Sequence, residues 1–436
     1  MRTKRLFDSS DDFSRRAFVS GAARGLLGLT TVPLLSGLGL RAATGAVAGA
    51  TGGGTARSVI YLYMSGGMSH LDTFDPKPGA ATQGPTESIR TAADDVLVSS
   101  NLPNLARHMD KICLFRGMQS TQGAHAQARY FLHTSYELRG TIKHPTMGTW
   151  LDYMRERQNP ALPGHVEIGG QQYTAAAGFL ESVHGPLPIG DPDAGLQNSR
   201  RPNGVSEDVA ARRLARLERM NHEFADRFDH KGIRAYADMY DQALRLMQSS
   251  ELAAFDLTAE PESIREAYGD DDFGQGCLLA RRLVEHGVGY VEVVNGGWDS
   301  HNQNFDVMDD KLPPLDRSIA ALLSDLESRG LLDETLVVLA TEFGRTPQIV
   351  ASNNGRNHFP KAFTCWMAGG GVRGGRTFGG TNDDGSDVVE GATTIPDFNA
   401  TIAHALGLPL EQVVTSPSKR PFTVAHKGTP VTQVFA

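Results

Sequence analysis

Short apolar runs alternate along this chain with segments of helical spacing. Arg57 to Tyr63 is a β-branched and aromatic run that ends in Ser65-Gly66-Gly67, which predicts a first strand entering a loop. Further runs of strand length are Ile112 to Phe115, His165 to Ile168, Gly289 to Val294, Thr335 to Ala340 and Phe363 to Ala368, each bounded by Gly, Pro or polar residues. Helical spacing marks Gln127 to Leu138, Met147 to Arg155, Gly276 to His286 and Leu315 to Arg329 between them. Strands alternating with helices predict an α/β fold with a parallel sheet covered on both faces. From Ser206 to Ser250 the pattern changes, and Leu214, Leu217, Met220, Phe224 and Phe228 recur among many charged residues as a charged amphipathic helical insertion that caps or flanks the sheet. Gly379 to Gly391, rich in Gly and Asp, reads as a surface loop or short hairpin.

Composition narrows the class. With 436 residues, 40% hydrophobic and 21% charged, the chain can bury a large core, and its 48 glycines lie in short clusters without the period of collagen. Its 42 basic and 50 acidic residues include no dense Lys/Arg run, so no nucleic-acid partner is expected. Three cysteines, Cys113, Cys277 and Cys365, are too few and too scattered for a disulfide framework and read as buried small hydrophobes.

The N-terminus reads as an address. Ser14-Arg15-Arg16-Ala17-Phe18-Val19 followed by a Gly-, Ala- and Leu-rich stretch resembles a twin-arginine export signal, with Val19 and Ser20 in place of the commoner Leu and Lys. Arg24 and Arg41 interrupt the apolar stretch below the ~18 residues of a spanning helix, so no stable membrane anchor is expected. Small residues around Ala48 suit cleavage. Removing residues 1–48 takes seven basic and three acidic side chains off a chain of net charge −8, which leaves an acidic protein of charge −12. The expected organisation is a signal peptide over 1–48, a Gly-rich linker over 49–56 and a domain over 57–436 with the insertion at about 206–260. The expected location is periplasmic or secreted, after export in the folded state by the twin-arginine machinery.

Ligands in open α/β sheets collect beyond the carboxyl ends of the strands, so the residues that follow each strand carry the candidate chemistry. After the first strand, His70 and Asp72 lie two apart and can converge on a metal; alternatively, Asp72 and Asp75 turn the chain before Pro76. After Gly289 to Val294 the arrangement repeats, with a glycine pair followed by Asp299 and His301. Asp with neutral His is a donor set for zinc, manganese or iron. Thr335 to Ala340 delivers Glu342, and His358 follows shortly after. Arg345 and Arg356 are forks for a phosphate or sulfate, or partners in structural salt bridges. His125, Arg129 and His133, four apart, share one helix face, whose N-terminus would attract an anion.

Tyr63 to Lys77 (Tyr-Met-Ser-Gly-Gly-Met-Ser-His-Leu-Asp-Thr-Phe-Asp-Pro-Lys), Gly296 to His301 (Gly-Gly-Trp-Asp-Ser-His) and Thr341 to Pro347 (Thr-Glu-Phe-Gly-Arg-Thr-Pro) together resemble the domain of unknown function 1501 family, a branch of the alkaline phosphatase and sulfatase superfamily. Trp366 to Val372 and Asp397 to Ile402 extend the resemblance, which runs from Arg57 to the C-terminus. It implies an alkaline-phosphatase-like three-layer sandwich, a large mostly parallel sheet flanked by helices, with a divalent metal at the strand ends. By the same resemblance Asp299, His301 and His358 are one ligand set, with zinc first and manganese or iron as alternatives. The superfamily's second metal is held by an acid after the first strand and by an Asp-His pair; here Glu342-Phe343-Gly344 stands in place of that pair, with Glu342 as the candidate substitute. The superfamily nucleophile opens a helix four residues before an arginine; counting back from Arg129 puts His125 there, as an unusual nucleophile or a ligand. The resulting expectation is a metal-dependent hydrolase of phosphate or sulfate esters, on a small molecule or glycan, with His125, Arg129 and Arg345 catalytic and with His70, Asp72 and Glu342 as further metal ligands. The alternative is a catalytically silent, metal-containing binding or surface-assembly protein that keeps the fold.

Overall fold

The structure, a computed structural model, describes residues 54–170, 176–197, 199, 204–228 and 231–435, the side chains of 225 and 231–239 excepted. The proposed signal peptide lies outside the described residues. A nine-stranded sheet forms the centre. Its strands are β1 (Ser58–Met64), β2 (Ile112–Gln119), β3 (His165–Ile168), β4 (Leu187–Ile189), β5 (Tyr290–Asn295), β6 (Thr335–Ala340), β7 (Phe363–Ala368), β8 (Arg376–Phe378) and β9 (Thr393–Thr394). Their spatial order is β8-β2-β7-β6-β1-β5-β3-β4, with β9 also paired to β2.

Both faces of the sheet are covered, which is why its strands are mainly apolar, with buried Glu167 and Glu292 as exceptions. Along β1, Ile60, Leu62 and Met64 face one core with Leu278, Leu283, Leu312 and Leu323, whereas Val59, Tyr61 and Tyr63 face a second core with Phe131, Trp150, Phe398 and Ile402. The second core is built by helices α1 (His125–Thr134), α2 (Met147–Met154) and, at the C-terminal end, Ile395–Ala405; the first by Asp272–Glu285 and Asn304–Ser328. This is a three-layer α/β sandwich. Cys113, Cys277 and Cys365 are buried and unpaired.

β7 departs from the parallel pattern. It pairs antiparallel with both β6 and β2, while the other pairings of the sheet are parallel. A parallel return needs a crossover of a dozen or more residues, usually helical, and the chain between β6 and β7 instead folds into a small hairpin of Gly344–Arg345 with His358–Phe359. The Asn304–Ser328 helix also begins earlier than its spacing predicts, because it continues through Pro313 and Pro314. Each proline removes one backbone donor, yet Leu312, Leu315 and Ile319 stay buried against the sheet, and that packing holds the helix together. The charged insertion forms two helices, Glu207–Arg227 and Lys231–Gln248, whose small core joins Tyr240 and Leu244 to Leu214 and Leu217. Met220 and Phe224, predicted on the apolar face, remain exposed.

The central register positions the site. β1 runs parallel between β5 and β6, with Met64 opposite Asn295 and Tyr63 opposite Ala340. The three loops that leave these strands therefore emerge side by side at one edge of the sheet.

Candidate metal centre

The β1 loop packs against the loop after β5. Gly66 has φ +125°, and a Cβ there would lie 2.6 Å from the Asp299 nitrogen; Gly67 has φ +82°, and its Cβ would strike the Phe343 ring. Only glycine allows that approach. Arg345, fully buried, ties the loops together. Its guanidinium donates through Nε to the Gly67 carbonyl at 2.7 Å, through Nη1 to the Arg356 carbonyl at 3.1 Å, and through Nη2 to the Gly66 carbonyl and to Asp299 Oδ1, the last at 2.6 Å. Burial pushes the Asp299 carboxyl upward, but the Arg345 hydrogen bond and charge outweigh it and hold the group down at about 2.

Asp299, His301 and His358 converge. His301 Nε2 lies 3.0 Å from His358 Nε2, and both lie 3.3 Å from Asp299 Oδ1. His358 Nδ1 donates to the Gly123 carbonyl at 2.8 Å, so in the neutral ring the lone pair is on Nε2; burial lowers its pKa. His301 Nδ1 faces Asn357 Oδ1 at 3.1 Å, which assigns its hydrogen to Nδ1 as well. Two lone pairs and a carboxylate oxygen thus point into one triangle. Ligands of a tetrahedral ion with bonds of 2.0–2.1 Å lie about 3.3 Å apart, so the triangle has the edge lengths and the donor chemistry of a divalent metal site.

His125 opens α1 beside this triangle. Its Nδ1 lies 2.9 Å from Glu342 Oε1 and its Nε2 3.3 Å from Asp299 Oδ2. The hydrogen bond to Glu342, with the charge of Asp299, raises its pKa against the opposing effect of burial. His125, Asp299 and His358 also present ligand atoms within 4.8 Å of one another; the other such group among the described residues, Glu218, His222 and Asp241, lies on the insertion, with Glu218 and His222 exposed. Glu342, predicted as a ligand, is buried and already occupied: Oε1 accepts from the Gly66 N–H at 2.9 Å and Oε2 from the Tyr63 hydroxyl at 3.1 Å, besides the contact with His125. The Phe343 ring packs 5.0 Å from the His125 ring and 4.5 Å from that of His358.

The remaining predicted residues lie elsewhere or do other work. Asp72 meets buried Arg356 in a bidentate ion pair of 2.8 and 3.2 Å and accepts from Ser69, Thr86 and Asn304. Arg356 spends further donors on the carbonyls of Thr346, Pro347 and Thr82. His70 is buried, with Nε2 2.9 Å from the Gly385 carbonyl, and stays out of the triangle. Arg345 positions Asp299 and has one uncommitted Nη1 hydrogen, so the predicted anion fork is a clamp on the ligand loop. His133 lies farther along α1, buried, 2.9 Å from Glu292. Arg129, one turn after His125, keeps an Nε shielded from water and without a hydrogen-bond partner, and its charge acts on Tyr63. The first turn of α1 has neither a side-chain cap nor an acidic residue. Tyr63, Gly123 and Asn357 escaped the sequence reading; the alternation of β1, which turns Tyr63 toward α1, was the one local signal for any of them.

The model of the family described as "Protein of unknown function (DUF1501)" matches residues 56–435. The chain belongs to that family. No curated protein matches it. Among solved structures, this family member is similar to the lipoteichoic acid synthase LtaP from Listeria monocytogenes, with TM-score 0.40 and 8% identity over 82% of this chain and 74% of that one. It is also similar to the PsFucS1 sulfatase from Pseudoalteromonas sp., with TM-score 0.40 and 13% identity over 82% and 69%. A protein in the alkaline phosphatase superfamily from Vibrio parahaemolyticus has TM-score 0.37 and 10% identity over 97% and 79%.

Proposed function

We propose that the protein is an exported, metal-dependent hydrolase of a phosphate or sulfate ester carried by a small molecule or a glycan. The observation that carries this reading is the triangle of Asp299 Oδ1, His301 Nε2 and His358 Nε2, in which, with both rings neutral, two imidazole lone pairs face one carboxylate oxygen. Three protein ligands leave a fourth position of a tetrahedral ion for substrate, the arrangement of catalytic sites. A divalent ion there, zinc first by donor type, supplies Lewis-acid polarisation of the ester oxygen. Arg345 holds Asp299 ionised and in place. Arg129 and the uncapped start of α1 offer donors for the remaining oxyanion oxygens. Glu342 orients His125.

The saturated Glu342 and the Phe343 ring against two of the histidines support a site for one ion. The same observation favours the second reading, a catalytically silent binding or surface-assembly protein that keeps one metal. Two measurements separate the readings. Metal-replete mature protein should hydrolyse at least one member of a broad phosphate and sulfate ester panel above a His358→Ala control; no turnover on any ester sinks the hydrolase. In a cobalt-substituted sample, added phosphate or sulfate should change the visible spectrum, whereas an unchanged spectrum indicates a closed site. Export rests on Arg15 and Arg16. Replacing both by Lys should leave precursor in the cytoplasm.

A further inference from the structure

We propose that the helical insertion carries a cation site of its own, in which Glu218, His222 and Asp241 hold a divalent ion that ties its two helices together. This site shares no residue with the triangle of Asp299, His301 and His358 and does not depend on the hydrolase reading. Glu218 and His222 lie four apart on Glu207–Arg227, hence one turn apart on one face, and Asp241 comes from the second helix, Lys231–Gln248. One ligand atom from each lies within 4.8 Å of the other two. Donors one turn apart on a helix, completed by a donor from the helix packed against it, are how metal sites are built between helices. His222 Nε2 stands 3.6 Å from Asp241 Oδ2. That separation is too long for a hydrogen bond, yet it is close to the ~3.3 Å between two ligands of one tetrahedral ion. One imidazole nitrogen with two carboxylate oxygens is a donor set that zinc accepts.

The surroundings leave work for such an ion. Two carboxylates held within 4.8 Å of each other repel, and a divalent cation between them removes that repulsion. The first helix carries five arginines, Arg212, Arg213, Arg216, Arg219 and Arg227, but among the described residues Glu218 makes an ion pair with none of them. The apolar core between the two helices is small. Tyr240 and Leu244 are its buried residues, backed by Leu214, Leu217 and Ala243, while Met220 and Phe224 stay exposed. A core of that size is commonly supplemented by a structural metal. Leu214, Glu218 and His222 follow one another at intervals of four, so the donors continue the row of Leu214 beyond the end of the apolar contact. Glu218 and His222 are open to solvent, so water fills the remaining coordination positions and the ion exchanges freely. It is lost on isolation and returns when metal is added.

The test is a titration of the isolated mature protein with zinc alone, read by equilibrium dialysis with elemental analysis. Added zinc should raise the bound metal by one ion per chain. His222→Ala and Asp241→Ala should each abolish that increment without changing the metal content of the untitrated protein, and Asp241→His, which supplies a nitrogen in place of the oxygen, should keep it. All three positions are on the surface of the insertion, so the variants should retain the wild-type far-UV circular dichroism. Hydrogen exchange reads the tie between the helices: at a zinc concentration about 100 times its Kd, the open population of the insertion should fall about a hundredfold in the wild type and stay unchanged in His222→Ala. Absence of the added ion, an increment that survives His222→Ala, or zinc that binds without slowing exchange in the insertion overturns the proposal. No ester enters these measurements, so none of their outcomes touches the hydrolase reading.

Discussion

The Nε2 atoms of His301 and His358 lie 3.0 Å apart although fifty-seven positions separate the two residues. With both rings neutral, neither nitrogen has a hydrogen to offer the other, because each Nδ1 faces an oxygen that accepts it. On the proposed reading, a divalent cation between them would resolve that contact. One divalent ion per chain is expected in the isolated mature protein. His301→Ala and His358→Ala should each lower metal affinity by more than the about 10–100-fold typical of a lost outer partner, and the double variant should lose little more than either single one. Additive losses would mean that the two histidines serve separate sites. Equilibrium dialysis with elemental analysis reads the result.

Glu342 distinguishes a ligand from an orienting group. Among the described residues, its carboxylate hydrogen-bonds to Tyr63, Gly66 and His125. Glu342→Gln should therefore keep the ion while turnover falls by about 10–100-fold. Loss of the metal from this variant would restore Glu342 to the ligand set.

Asp72 and Arg356 separate a structural pair from a second metal site. Both side chains are fully buried, and removal of one leaves the other charged and uncompensated. Asp72→Ala should cost about 3–5 kcal/mol in urea unfolding. The folded fraction should retain its metal, and a depleted ion would contradict this assignment.

Acid sensitivity should trace in part to Asp152, on α2 and far from the triangle in sequence. Burial raises its carboxyl, but hydrogen bonds from His184 at 2.9 Å and from Arg157 at 2.6 and 2.8 Å outweigh that and hold it down at about 2. The folded value lies below the unfolded one of about 3.9, so the contribution is complete above pH ~4 and is lost as pH falls toward 2. The loss amounts to about 2 kcal/mol. Asp152→Asn should be less stable at neutral pH and should show a flatter stability profile between pH 4 and 2; a parallel profile would exclude Asp152 as the titrating group.

What the sequence determined by itself is local. The runs at His165 to Ile168, Thr335 to Ala340 and Phe363 to Ala368 match observed strands end to end, because strands buried on both faces read as mainly apolar stretches, with buried polar residues such as Glu167 and Thr364 as the interruptions. Asp299 and His301 were legible for the same reason, since a glycine pair, an acid and a histidine at a strand end can be read within a few residues. Tertiary structure decided the direction of β7, because the connection from β6 folds into the Gly344–Arg345/His358–Phe359 hairpin rather than a crossover helix, and the extension of a helix through Pro313 and Pro314, which depends on packing. It also decided the work of each charged side chain. His70 and Asp72 repeat the local pattern of Asp299 and His301, yet Arg356 claims Asp72, Gly385 claims His70, and Arg345 presents Asp299 to two histidines. Those partners come from loops up to 315 positions away in the chain. Periodicity records which face of an element is buried, whereas the partner of a buried charge is set by which loops the register of β1, β5 and β6 brings side by side.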